Sequence, residues 1–398
     1  MHKPAALEQA TVGNNTESHA AKSAEKQGRI LALDVTRGIV IAFMILVNNN
    51  GSYKFAYAQL RHSLWNGWTL TDLVFPSFLL IVGVTIVFSI ESRLAKGGSR
   101  RELFFHIIRR AFLLFCFGLI VNGFPHFPLA TWRIYGVLQR IAICYLIVSV
   151  VYLFSRRSGT FVAIAAFSLI AYYILMRWVP VPGYGLPTHE VPLLDPNGNL
   201  AAYVDRLIAP HRLDEKVYDP EGLISTIPAI ATTCLGVLAA FWLRSAQPIV
   251  KKATGLFFAG VLGLISGEIW NVWFPINKRL WTSSYVLFAG GCTLLLLFLC
   301  YLLLDVKQWR GKWIWPSIVF GSNAITVYMF SELFHAILRS IHLSSAGATS
   351  SLDHWIYSSF FMHLINPSFG SLLYSLTFVS VCFLVNIVLY QKKIFLKV

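Results

Sequence analysis

Ten apolar runs, each about twenty residues long and separated by polar connections, leave this chain few folds to choose from. Such a run matches the hydrocarbon thickness of a bilayer at the helical rise of about 1.5 Å per residue. The runs read as spans over residues 30–48, 71–91, 106–124, 134–154, 159–178, 223–243, 253–273, 282–304, 314–338 and 367–390. A transmembrane barrel would need alternating segments of about ten residues, and none are visible. The expected fold is therefore all-α, a polytopic membrane helical bundle with about 10–11 transmembrane helices. Composition agrees: 56% of residues are hydrophobic and 13% charged, which excludes an ordinary soluble domain.

Residues 1–28 are polar, without an apolar core, and read as a disordered cytoplasmic tail. Residues 29–398 read as a single transmembrane domain. The formal charge of +15 would suggest nucleic acid in a soluble chain. Here most basic residues fall on alternate connections, at Arg93–Lys96, Arg100–Arg110, Arg156–Arg157, Arg244–Lys252, Lys307–Lys312 and Lys392–Lys397. The positive-inside rule makes that pattern an orientation signal: a multi-pass membrane protein with both termini cytoplasmic, lipid around it and no nucleic-acid partner. The six cysteines lie in apolar runs without paired spacing, so no metal site is expected.

The opposite connections hold the polar chemistry. Residues 61–78 combine His62, Trp65, Asn66, Trp68 and Asp72 just before the second span, where polar groups are costly unless used. His62, with an ordinary pKa of about 6.5, is either an interfacial packing residue or a proton acceptor. Asp72 either caps the helix or orients the imidazole. The first span begins with Asp34 and Arg37, spaced as a local ion pair or as a seat for an anion, and ends in Asn48-Asn49-Asn50-Gly51. Arg140 beside Gln139, Glu268, and Glu332 with His335 lie within apolar runs and imply a polar interior cavity. The segment from Pro275 to Tyr285 carries Lys278, Trp281 and Ser283 into the eighth span, a suitable sugar or anion contact. Asp219-Pro-Glu-Gly reads as an N-cap, and Gly321-Ser-Asn-Ala, which contains Asn323, as a helix-packing patch. The long connection 179–222 is expected to cover a site, and Trp355–Ile365 is suited to lie flat in the interface.

Leu33-Asp-Val-Thr-Arg-Gly, Val47-Asn-Asn-Asn-Gly, His62-Ser-Leu-Trp-Asn-Gly-Trp-Thr-Leu-Thr-Asp, Gly136-Val-Leu-Gln-Arg-Ile-Ala, Asp219-Pro-Glu-Gly and Pro275-Ile-Asn-Lys-Arg-Leu-Trp together resemble the heparan-alpha-glucosaminide N-acetyltransferase family of transmembrane acyltransferases. The resemblance runs in order from about residue 29 to the end. It implies acetyl transfer from cytoplasmic acetyl-CoA to a glucosamine amine on the opposite face, with His62 catalytic and Asn48 beside it. It also implies a homodimer. With it, Asp34, Arg37, Gln139, Arg140 and Asn323 are assigned to acetyl-CoA. Trp65, Asn66, Glu268, Lys278, Trp281 and Ser283 are assigned to the sugar, with Asp72 third in the catalytic set. The sequence lacks the large N-terminal non-cytoplasmic region of the animal members and has a longer Asn48–His62 spacing. A bacterial-type member of a cell inner membrane, acting on free or short amino sugars, is therefore expected. The alternative from another class is an amino-sugar permease that moves the sugar unmodified.

Overall fold

The computed structural model describes residues 30–345 and 348–395, so the tail expected over residues 1–28 lies outside them. Thirteen helices make up the described chain: α1 Leu31–Asn48, α2 Val74–Ala95, α3 Arg100–Gly123, α4 Val137–Phe154, α5 Ser158–Trp178, α6 Leu200–Ile208, α7 Thr226–Arg244, α8 Ile249–Asn271, α9 Ser283–Tyr301, α10 Trp315–Ser322, α11 Ala324–Ser340, α12 Leu352–Ile356 and α13 Pro367–Gln391. Two short antiparallel strands, β1 His342–Ser345 and β2 Ala348–Ser351, pair with His342 opposite Ser351.

Nine of the described helices are long and apolar enough to span a bilayer. The expected ninth span is instead two helices in succession, α10 and α11, broken at Asn323, whose φ of −129° and ψ of 40° leave the helical region. With that broken pair the chain crosses the bundle ten times. Local chemistry sets several ends. Ser99 and Glu102 form a reciprocal capping box on α3, Asn199 accepts from Ala202 N–H on α6, and Asn366 accepts from Phe369 N–H ahead of Pro367 on α13.

Apolarity around the whole circumference sends α2 to the centre, where 72% of its apolar window is buried, against 17% for α8 and 22% for α3 at the periphery. Close crossings depend on missing side chains. A Cβ on Gly38 would lie 1.8 Å from the Ser317 carbonyl oxygen, and one on Gly321 would lie 2.3 Å from that of Asp34, so α1 and α10 meet backbone to backbone. That crossing brings Arg37 and Asn323 to the same cavity wall.

Successive spans alternate in direction. One end of the bundle therefore gathers Arg93, Lys96, Arg100, Arg156, Arg157, Arg244, Lys251, Lys307 and Lys392, and the Ala32 N–H there donates to Asp305 Oδ2 at 3.0 Å. The other end carries the connections 49–70, 179–222 and 272–282. The long connection folds on itself rather than hanging free: Asp205 of α6 accepts from Leu223 N–H at 3.1 Å, and Arg206 donates to the Val217 carbonyl at 2.8 Å. Residues 352–361, which overlap the Trp355–Ile365 segment expected to lie flat, form α12 followed by a wider turn at Tyr357–Phe361.

Candidate active site

The end of α1 divides its three amides among three tasks. Asn49 Nδ2 donates back to the Ile45 carbonyl at 2.8 Å while its oxygen meets His335 Nδ1 at 2.5 Å. Asn50 Nδ2 donates to the carbonyls of Val47 and Leu60 and ties the following loop to the helix. Asn48 faces a cavity and donates to Glu332 Oε1 at 3.2 Å.

The loop then returns His62 to the same cavity. Asp72, 1% exposed, holds it there. Its Oδ2 accepts the N–H groups of Ser63 and Thr69, each at 3.0 Å, and the Thr69 hydroxyl. Its Oδ1 lies 2.7 Å from His62 Nδ1. The Tyr285 hydroxyl donates to the Asp72 carbonyl and locks the backbone from behind. Asp72 thus accepts from the Thr69 N–H three residues back with one oxygen and grips the imidazole with the other, while the short helix at Thr71–Leu73 starts after Leu70 without a side-chain cap. A carboxylate can only accept, so Nδ1 carries the ring proton and Nε2 keeps its lone pair.

Met44, Asn48, His62, Phe75, Arg133, Glu221, Lys278, Tyr328 and Glu332 line this cavity of about 220 Å³. Burial lowers the His62 pKa, Lys278 lowers it further, and the Asp72 bond recovers only part, so the ring sits below the ordinary histidine value as a neutral base. Burial alone would raise the Glu221 carboxyl, but Lys278, Arg133 and Arg140 outweigh it and leave its pKa below the usual glutamate value. Arg133 grips Asp219 with two bonds of 2.8 and 2.7 Å, reaches Glu221 at 2.6 Å and lies 3.3 Å from Asp214. These carboxylates hold its pKa above the ordinary arginine value despite burial.

A second cavity, of about 250 Å³, opens at the basic end between Arg37, Phe78, Thr85, Arg93, His106, Arg110 and Asn323. Arg93 and His106 also line a shallower pocket beside it. The basic cavity and the His62 cavity share no lining residue, but both border α2 and α11. Phe78 lines the basic one and Phe75 the His62 one, three residues or about 4.5 Å apart along α2. On α11, Thr326 lines the basic cavity and Tyr328, two residues on, the His62 cavity.

The expected residues therefore divide. His62, Asn48, Asp72 and Lys278 come together, and Arg37 and Asn323 share the basic cavity, with Asp34 paired to Arg37 at 3.0 Å. Gln139 and Arg140 do not reach it. Arg140 is fully buried near the start of α4, donating to the Gly222 carbonyl at 3.1 Å and to Ser225 Oγ, with its guanidinium 5.0 Å from the Trp281 ring centre. Of the other residues assigned to the sugar, none lines the His62 cavity. Trp65 donates to the Leu194 carbonyl at 2.8 Å, Asn66 pairs with Asn277 at 3.1 Å, Ser283 donates to the Leu169 carbonyl at 2.7 Å, and Trp281 is buried against Phe75 and Tyr285. Glu268 is exposed on α8, where Asn271 donates to it. Asp219, read as an N-cap, instead accepts from Glu221 N–H within its own turn and serves Arg133, while α7 starts at Thr226 without a side-chain cap.

Arg133, Glu221, Arg93, His106 and Arg110 escaped sequence reasoning. The first two had a signal, since an acid pair in Asp219-Pro-Glu needs a cation once buried. The others looked like orientation charges. Among the described residues no group of three or more His, Cys, Asp or Glu is placed to hold a metal ion.

The family model described as "Heparan-alpha-glucosaminide N-acetyltransferase, catalytic" matches residues 29–203, a stretch that includes Asn48, His62, Asp72 and Arg133. Proteins named heparan-alpha-glucosaminide N-acetyltransferase from Homo sapiens and Mus musculus are each 32% identical, over 363 and 362 residues, covering 77% of this chain and 53% of the relative. The chain spans about half the length of these curated relatives. The family-model match over residues 29–203 and the two relatives support the heparan-alpha-glucosaminide N-acetyltransferase family for this chain.

Proposed function

We propose that this protein transfers an acetyl group from acetyl-CoA, bound from the basic end, to the amine of a glucosamine-type sugar arriving from the loop end. The observation that carries the reading is the His62–Asp72 pair opening on a cavity shared with Asn48, whose Phe75 stands three residues along α2 from Phe78 of a cavity lined by Arg37, Arg93, His106 and Arg110. Guanidinium groups suit the phosphates of the nucleotide, and an extended pantetheine arm would run past Phe78 and Phe75 toward His62.

In this reading the sugar ammonium gives one proton to His62 Nε2, and Asp72 stabilises the resulting imidazolium. The free amine attacks the thioester carbonyl, with an Asn48 N–H aimed at the oxygen where negative charge develops. The new C–N bond forms as the C–S bond breaks. The remaining excess N–H proton passes to the leaving thiolate, and the imidazolium proton leaves to solvent. With the basic end cytoplasmic, as the charge pattern favours, the reaction crosses an inner membrane. A homodimer is carried only by the family resemblance.

Purified protein should release free CoA thiol when given acetyl-CoA and glucosamine together, and not with either alone. Thiol release absent across a panel of amino sugars, with radiolabelled sugar accumulating unmodified in proteoliposomes, would replace the transferase with the permease.

A further inference from the structure

Among the described residues, Glu332 forms no ion pair. The carboxylates Glu221, Asp219 and Asp214 share Arg133, and Asp72 holds His62. Glu332, on α11, makes one side-chain bond, to the neutral amide of Asn48, and among the described residues no cation forms an ion pair with it. A lone carboxylate on a membrane-crossing helix is costly, which is reason to ask what cation it meets.

Its location narrows the answer. Beyond the His62 cavity lies an open vestibule of about 490 Å³, bordered by Phe124, His126, His335, Arg339 and His342. Asn48, Val121 and Glu332 belong to both. A molecule passing from the vestibule to His62 must slide past the Glu332 carboxylate. Of the other charges on that cavity, Arg133 is committed to Asp214, Asp219 and Glu221, which leaves Lys278 to repel a cation that lacked such a partner.

We propose that Glu332 binds the primary ammonium of the amino-sugar acceptor at this threshold, and so selects cationic amino sugars over neutral ones. The proposal rests on the acceptor of the proposed function. The carboxylate accepts a charge-assisted hydrogen bond from the ammonium and holds it between the vestibule and His62. Once acetylated, the nitrogen is a neutral amide, the charge pair is gone and the product leaves more easily than the substrate entered.

The test measures equilibrium binding of glucosamine and of glucose, which carries a hydroxyl in place of the ammonium, to the full chain without acetyl-CoA. Wild-type protein should prefer glucosamine by about ten- to a hundredfold, the range of a hydrogen bond to a charged group. Glu332→Gln keeps an oxygen to accept from Asn48 but loses the charge, so it should bind both sugars alike while binding acetyl-CoA normally. A Gln variant that keeps the preference, losing only turnover, would make Glu332 a support for Asn48 and overturn the assignment. Should the Gln variant not fold, the wild-type comparison decides: preference supports the assignment and parity overturns it. Thiol release is scored separately. Wild-type protein that prefers glucosamine yet releases no thiol sinks the transferase and leaves the ammonium site standing, whereas release with equal binding of the two sugars sinks the ammonium site alone.

Discussion

His62 Nδ1 and Asp72 Oδ1 lie 2.7 Å apart across a ten-residue loop, and the other Asp72 oxygen is held by the Ser63 and Thr69 N–H groups, so the carboxylate cannot turn away. The pair fixes which ring nitrogen is basic. His62→Ala should lower kcat for acetyl transfer by about 10²–10⁴-fold, the usual worth of a general base. Asp72→Asn should lose a comparable factor, because an amide can turn its NH₂ toward Nδ1 and reverse the tautomer. Acetyl-CoA affinity measured by calorimetry should be unchanged in His62→Ala. Equal turnover in either variant would remove the pair from the chemistry.

The pH profile follows from the same surroundings. Because burial and Lys278 hold the His62 pKa below its ordinary value, the neutral base persists as pH falls below about 6.5 and activity is lost only as pH passes through the lowered value. Lys278→Met removes the largest of the charges that lower it, so the acidic limb of kcat should move to higher pH. A limb that stays in place, or moves down, would show that Lys278 does not act on the base. The stability sign runs alongside: the unfolded histidine takes up its proton first, so this site disfavours folding as pH falls through about 6.5.

Asn48 has two amide hydrogens, and Glu332 takes one. The other is free to meet developing negative charge in the cavity. Asn48→Ala should reduce kcat by about 10²–10³-fold, as loss of one oxyanion donor does. KM for the amine should change far less, and steady-state kinetics separates the two. A change confined to KM would make Asn48 a sugar contact.

Most of the bundle was legible because apolar run length is a strong signal. The broken ninth span was not, since Asn323 interrupts a run that stays apolar on both sides. At the site, residue type left His62 with two roles and Asn48 as a helix end, only the resemblance drew the two together, and Asp72 is placed against the His62 ring. Trp65, Asn66, Trp281 and Ser283, assigned to the sugar, do not line the His62 cavity. Polar and aromatic groups at a helix lip serve equally to pin loops and to bind sugar, and their hydrogen bonds go to Leu194, Asn277, Thr232 and Leu169. Spacing along the chain cannot tell those uses apart.

At the basic end, Arg93, His106 and Arg110 join Arg37 around one cavity. Converting Arg93 and Arg110 together to Gln should weaken acetyl-CoA binding by about ten- to a hundredfold, the scale of lost charge-assisted bonds. Glucosamine binding should be unaffected. Titration of desulfo-CoA, which keeps the phosphates without the thiol, reports the loss directly. Undiminished affinity in the double variant would place the nucleotide elsewhere.

Arg133 is a different kind of charge. It lies beside the cavity, yet its guanidinium is committed to Asp219, Glu221 and Asp214, the first two buried in the protein. Breaking a buried ion network by removing one partner leaves uncompensated charge, a cost of about 3–5 kcal/mol. Arg133→Met should therefore lower the melting temperature sharply, and the loss should shrink at acid pH as the stranded carboxylates take up protons. Arg133→Lys should recover only part of the stability, because an ammonium cannot reproduce the two parallel bonds to Asp219. A methionine variant that melts normally but has lost glucosamine affinity would reassign Arg133 from the frame of the site to its ligand contacts.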